Sequence, residues 1–141
     1  MMNILVTGGA GFLGSHLVDT LVDRGHDVVV LDDLSREEKS QISTAAKFVQ
    51  GDVRVLDDWE NAISQGTPEV IHHLAAVNGT KRFHDEADLV VDVNVNGTIN
   101  AIKIAKRLGV RLIFYSSPEA FGEQENMPLS NSSSRVFPPP N

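Results

Sequence analysis

Apolar positions along this 141-residue chain gather in short runs separated by polar or periodic stretches. NILVT at 3–7, DVVVL at 27–31, KFVQ at 47–50, EVIHHL at 69–74 and RLIFYS at 111–116 read as five strands. Most of these runs are apolar throughout rather than alternating, as strands buried on both faces are. Between the first two, Leu13, Leu17, Val18, Leu21 and Val22 recur at helical spacing from Phe12 to Arg24, and Gly25 supplies a stop. GDVRVLDDW leads into a helix near 56–65. A longer helix is predicted over roughly 86–108, with Leu89, Val93, Ile99, Ile102, Ala105 and Leu108 on one side and Gly109 at its end. Residues 35–44 read as a loop or short helix. Strands alternating with helices predict a parallel sheet covered on both faces.

TGGAGFLG at 7–14 lies between the first strand and the first helix, with four glycines in eight residues. Gly9-x-Gly11-x-x-Gly14 and Thr7-Gly8-x-x-Gly11-x-x-Gly14 both match glycine spacings of dinucleotide-binding turns. In such a turn one glycine permits the bend, another lets backbone approach a pyrophosphate, and a third lets helix pack on strand. The helix N-terminus then offers free N–H groups to phosphate. An acid closes the second strand: Asp32 stands 24 positions beyond Gly8, near the offset of the residue that holds an adenosine ribose. A carboxylate there accepts from a free 2′-hydroxyl and repels a 2′-phosphate, favouring NAD over NADP, while nearby Arg36 pulls the other way. Asp33 reads as a solvated neighbour or a secondary contact. The predicted fold is therefore α/β and Rossmann-like: a doubly wound parallel sheet in three αβα layers, strand order 3-2-1-4-5.

Composition narrows the rest. Residues are 41% hydrophobic and 22% charged, ordinary for one globular domain with a real core. A net charge of -7 disfavours nucleic acid and anionic membranes as partners. No apolar run reaches the roughly 18 residues a membrane span needs. Nothing at the N-terminus reads as a signal peptide, so a cytoplasmic protein is expected. Cysteine is absent, which removes disulfides and thiolate metal sites. His72 and His73 are adjacent in a strand and so point to opposite faces; they are expected to pack rather than to bind metal. His16 and His84 have no partner pattern. From about Glu123 the chain turns polar and rich in serine and proline, so an ordered unit over 1–122 and a loop over 123–141 are expected.

The stretch TGGAGFLGSHLVDTLVDRGHDVVVLDDLS, followed in order by GDVR, HHLAA, NVNGT and LIFYSSPEAFG, resembles the extended short-chain dehydrogenases of the nucleotide-sugar epimerase/dehydratase group. The resemblance covers about residues 3–122. It implies that Gly8, Gly11 and Gly14 frame the pyrophosphate of NAD, with the backbone of Phe12 and Leu13 at the helix start. Asp32 would hold the adenosine ribose, and Asp52 and Val53 would flank the adenine, Asp52 accepting from its amino group. Leu74, Ala75 and Ala76 would run beneath the phosphates and the nicotinamide ribose. Asn94 would tie backbone together inside a helix, and Gly97 would allow close helix packing.

For the chemistry, the resemblance makes Ser117, five residues before Gly122, the hydroxyl that bonds the sugar hydroxyl being oxidised. Glu119 stands where dehydratase- and decarboxylase-like members carry a glutamate. Pro118 replaces the aspartate of one dehydratase branch, and Phe121 stands where tyrosine is usual. The group's catalytic base is a tyrosine four residues before a lysine, the lysine and cofactor lowering the phenol pKa. Here the one tyrosine, Tyr115, is followed four residues later by Glu119. The chain thus looks like the cofactor half of an enzyme whose second half supplies the base and the sugar-nucleotide site. The intact enzyme would pass hydride from a sugar carbon, C4, to NAD, form a keto-sugar, and epimerise, eliminate or decarboxylate it, with Glu119 tilting toward the last two. Homodimerisation through the 86–108 helix is implied as well. Two other readings stay open: a non-catalytic NAD-binding module, sensor or subunit completed by another chain, and an NADP-linked carbonyl reductase, which Asp32 opposes.

Overall fold

The computed structural model describes residues 1–36, 42–122, 128–130 and 132–133. Five parallel strands form one sheet in the order β3-β2-β1-β4-β5. They are β1 (Asn3–Thr7), β2 (Asp27–Asp32), β3 (Lys47–Gln50), β4 (Val70–His73) and β5 (Arg111–Phe114). The order reverses beside β1, which pairs with β2 on one side and β4 on the other. That reversal opens a crevice at the carboxyl ends of β1 and β4, where doubly wound sheets bind ligands.

Strand alternation divides the core in two. Ile4, Val6, Val28 and Val30 face α1 (Phe12–Asp23) and its buried Val18. Leu5, Val29, Leu31 and Ile71 face the opposite layer, where Trp59 and Ala62 of α2 (Leu56–Ser64) pack with residues of the later helices. Both faces are therefore apolar, which is why the strand runs showed no alternation. Trp59 is fully buried and its indole Nε1 donates to the Val53 carbonyl at 2.8 Å. Buried Asn100 donates from Nδ2 to the carbonyls of Val53 and Arg54 at 3.1 and 2.9 Å. Asn100→Ala should cost about 1–3 kcal/mol in chemical denaturation, because it strands these carbonyls in the interior.

Strand ends differ slightly from the sequence reading: β2 runs on to Asp32, β4 loses Glu69 and Leu74, and Tyr115 lies just past β5. The stretch read as one helix over 86–108 needs a larger correction. It comprises α4 (Ala87–Val91), a π-helical turn (Asp92–Asn96) and α5 (Gly97–Leu108), preceded by a short α3 (Thr80–Asp85). The extra residue of the π turn rotates the inward face. Val90, Val93, Gly97, Asn100, Ala101, Ile104 and Ala105 are buried, while Ile99 and Ile102, expected inside, are exposed. Small residues win the inner face because α5 lies close to its neighbours: a Cβ on Gly97 would meet Val53 Cγ2 at 2.6 Å. Gly109 ends α5 in the left-handed conformation (φ 68°), as the sequence predicted.

The reading of residues 35–44 as loop or short helix falls partly outside the described residues, and that of 123–141 almost wholly so.

Candidate functional site

The glycine loop follows β1 directly and is pressed against the end of β4. A Cβ on Gly8 would lie 2.6 Å from Ala75 N, and one on Gly14 would lie 2.0 Å from the Gly8 carbonyl oxygen. These glycines are thus contact surfaces between backbones, and no side chain fits between them. The cap position of α1 is Gly11, which has no side-chain acceptor to offer, so the first-turn amides face the crevice without a capping hydroxyl or carboxylate. Phe12 and Leu13, on that first turn, are 73% and 67% exposed. Apolar side chains so open at the mouth of a crevice are available to cover a ligand.

Asp32, at the end of β2, ties two loops together. Its Oδ2 accepts from Ala10 N and its Oδ1 from Leu34 N, both at 2.9 Å. Asp33 accepts from Ser35 N at 2.9 Å. On the wall beyond β3, Asp52 receives Arg54 through Nε and Nη2, and Arg54 Nη1 donates to Asp92 at 2.8 Å. Hydrogen bonding from Arg54 holds the Asp52 carboxyl below the usual aspartate range, and its charge adds to the effect. Asp92 is lowered as well, by its bonds from Asn96 first and Arg54 second.

The floor of the crevice continues from β4. Leu74, Ala75 and Ala76 run along it, and the following Val77 is held at both backbone atoms by one side chain. Asn94 Oδ1 accepts from Val77 N at 2.8 Å, and Asn94 Nδ2 donates to the Val77 carbonyl at 2.9 Å. Asn94 does tie backbone together, but across to this loop rather than within its own helix. His72 and His73 point to opposite faces as expected, and both are hydrogen-bonded as well as packed. His72 Nδ1 meets Tyr115 Oη at 2.9 Å; His73 is buried against Trp59 and Phe114 and meets Thr7 and Thr98. Burial lowers both imidazoles, His73 to about 4.

These segments enclose one crevice of about 1060 Å³. Gly8, Gly11, Phe12, Leu13 and Gly14 line it from the glycine loop and the start of α1, Asp32 from the end of β2 and Asp33 just past it, and Asp52 and Val53 from the wall beyond β3. Leu74, Ala75 and Ala76 form its floor, and Ser117 stands at its far end past β5. The side chain of Glu119 lies outside the described residues. Thr98, Asn78 and Phe83 also line the crevice and were not singled out from the sequence. Asn78 accepts from Arg36 Nη1 at 3.1 Å, bridging the loops after β2 and β4. Among the described residues no three metal-binding side chains converge, and no helix is long and apolar enough to cross a membrane.

The model of the NAD dependent epimerase/dehydratase family matches residues 4–141. The chain belongs to that family. Among curated family members, a UDP-glucose 4-epimerase of Mycolicibacterium smegmatis is 39% identical over 94% of this chain and 46% of its own length. A UDP-N-acetyl-alpha-D-glucosaminuronate decarboxylase of Bacillus cytotoxicus is 31% identical over 94% of this chain and 41% of its own. Among solved structures, the UDP-glucose-4-epimerase of Stenotrophomonas maltophila, with bound NAD and formylated UDP-arabinopyranose, superposes with a TM-score of 0.87. It is 30% identical, over 96% of this chain and 43% of that one. The chain thus spans less than half the length of these relatives.

Proposed function

We propose that this chain is the NAD-binding half of a nucleotide-sugar epimerase or dehydratase. The observation that carries the reading is the single crevice in which a glycine loop, an acid-ended β2 and the small-residue floor after β4 meet at the sheet's reversal. Its size stands at the upper end of small-ligand sites, as a dinucleotide requires. In this reading Gly8, Gly11 and Gly14 bring backbone to the pyrophosphate, with the α1 amides of Phe12 and Leu13 beside it. Asp32 receives the adenosine ribose hydroxyls, with Asp33 near it, and is pre-oriented by Ala10 and Leu34. Asp52 and Val53 border the adenine, and Leu74, Ala75 and Ala76 carry the rest of the cofactor. Bound NAD supplies reversible acceptance of a hydride from a sugar carbon. Ser117 would bond the sugar hydroxyl and keep it in line for proton removal.

The substrate class, a UDP-sugar, is supported by what the relatives are named for. Glu119 favours elimination or decarboxylation, whereas the higher identity to 4-epimerases favours epimerisation, and product analysis on the intact enzyme separates them. The base is expected beyond these residues, since the one tyrosine here is not followed by lysine at the fourth place. The reading as a cofactor domain over 1–122 with a connecting segment over 123–141 goes with it. An exposed strip of Val91, Val95, Ile99 and Ile102 supports homodimerisation through the helices after β4. Its test is the dimer fraction of a Val95→Lys/Ile102→Lys variant in sedimentation.

The deciding test is calorimetric titration of NAD and NADP into material whose intact mass has been measured against 15.3 kDa. NAD should bind more tightly than NADP, and Asp32→Asn should weaken NAD about tenfold and narrow the preference. Equal affinity for both cofactors in the unaltered chain would overturn the assignment of Asp32. Binding at 15.3 kDa without turnover is expected of the cofactor half and of a non-catalytic module alike, and a longer parent chain that turns over a UDP-sugar separates the two.

A further inference from the structure

Four hydrogen bonds, the Thr7–His73 bond buried and the other three part-buried, run through His73 in one direction. Thr98 Oγ1 lies 2.7 Å from the Asn94 carbonyl oxygen, which can only accept, so the single hydroxyl hydrogen of Thr98 is committed there. Thr98 Oγ1 must then accept from His73 Nε2, 3.3 Å away, which places the ring hydrogen on Nε2. His73 Nδ1 is left bare and accepts from the Thr7 hydroxyl at 2.8 Å. Thr7 Oγ1 in turn accepts from Ala75 N at 3.3 Å. At the other end, Asn94 holds both backbone atoms of Val77. The bonds therefore close a ring: Ala75, Thr7, His73, Thr98, Asn94, Val77, and back along the chain to Ala75. Among the described residues every buried side-chain nitrogen and oxygen has a partner, as this assignment requires.

The ring explains two features that packing leaves open. A polar histidine occupies a core position beside Trp59 and Phe114, where an apolar ring would fit. The π turn at 92–96 brings Asn94 round to Val77 and Thr98 to His73; such turns collect at functional positions in helices. The segment the ring encloses, residues 74–77, is the crevice floor.

We propose that His73, as its neutral Nε2–H tautomer, is a positioning residue that fixes the crevice floor by locking Ala75 to β1 and Val77 to the π turn. The ligand-level consequence rests on the dinucleotide reading above; the placement of the floor does not. His73 touches no ligand in this scheme. It acts through Thr7 on the amide of Ala75 and through Thr98 on Asn94. Burial, which holds the imidazole neutral, agrees with the assignment.

The proposal is tested in the ligand-free 141-residue chain, with NAD as probe in a second step. Long-range proton–nitrogen spectra of the histidine rings should show His73 protonated at Nε2 and bare at Nδ1; a proton on Nδ1 overturns the proposal. His73→Phe keeps the packing and removes both links, and should speed amide hydrogen exchange at Ala75 and Val77 about tenfold or more. His73→Asn retains an acceptor near Nδ1 and should protect Ala75 better than His73→Gln, which retains a donor near Nε2. Thr7→Val, a shape-conserving change that leaves the His73 imidazole in place, should expose Ala75 alone. Ala75 exchange as slow in His73→Phe and Thr7→Val as in the unaltered chain would reduce His73 to a space-filling role and overturn the proposal. NAD affinity should fall about tenfold in His73→Phe and less in His73→Asn. If the unaltered chain binds no NAD, the dinucleotide reading fails, and the exchange and spectra still decide this one.

Discussion

Gly14→Ala should unfold or nearly unfold the protein: a loss of about 3–5 kcal/mol in urea denaturation, with NAD binding abolished in whatever remains folded. The reason is geometric. The added methyl would lie 2.0 Å from the Gly8 carbonyl oxygen and 2.7 Å from the Gly9 Cα, and no flexible side chain is there to yield. Relief requires α1 to move off β1, which opens the core around Val18 and breaks the approach of the glycine loop to β4. Gly25→Ala is the matched control. Gly25 has a positive φ of 77° but open space around it, so that change should cost only about 1–2 kcal/mol of backbone strain. Similar losses at both positions would show that the packing at Gly14 relaxes, and would weaken the argument that its lack of a side chain positions the loop.

Stability should fall steeply between pH 6.5 and pH 4, with His73 the largest single cause. In the folded protein its imidazole titrates at about 4, against about 6.5 in an unfolded chain. Between those values the unfolded state binds a proton that the folded state refuses. The stabilisation is therefore complete above pH 6.5 and is lost as the pH drops toward 4, reaching about 3 kcal/mol. In thermal melts this is a fall of about 10 °C. His72, lowered by burial, pulls in the same direction, so the quantity to compare is the slope in the unaltered chain against that in His73→Asn. The lowered carboxyls of Asp52 and Asp92 stabilise the fold above the ordinary aspartate range and lose that contribution below it, outside most of this window. A variant slope equal to that of the unaltered chain would mean that His73 is readily protonated in place.

Features set by neighbours in sequence were readable in advance. β1, the glycine loop, α1 and the acid at the end of β2 form one local unit, in which each residue type is dictated by the turn it must make. The strand order followed from the same unit, because a doubly wound sheet has few ways to continue. What escaped were features written in contacts between distant segments. The inward face of α5 was misread because periodicity assumes a constant turn angle, and the π turn breaks it. At that turn Asn94 bonds Val77, seventeen residues away, a contact no local pattern shows. Ile99 and Ile102 were placed inside on hydrophobicity, yet the space against Val53 admits only glycine at position 97. Most residues lining the crevice belong to stretches already quoted as motifs, so their gathering was legible; Asn78 and Phe83, in the segment after β4, do not. The hydrogen-bond ring was not, because Thr7, His73 and Thr98 lie in three elements and each alone looks like ordinary filling. A histidine inside an otherwise apolar strand was the one visible hint.

The single tryptophan of this chain lies fully buried beneath the crevice wall, hydrogen-bonded to Val53 and 6.0 Å from the His73 ring. The molecule therefore carries its own optical reporter at the point where the second core cluster, the wall and the floor come together. Emission from Trp59 should shift to the red when that cluster opens to water. Charging of the neighbouring imidazole and ligand entry against Val53 act on the same fluorophore, so unlabelled protein at micromolar concentration suffices to follow all three in one cuvette.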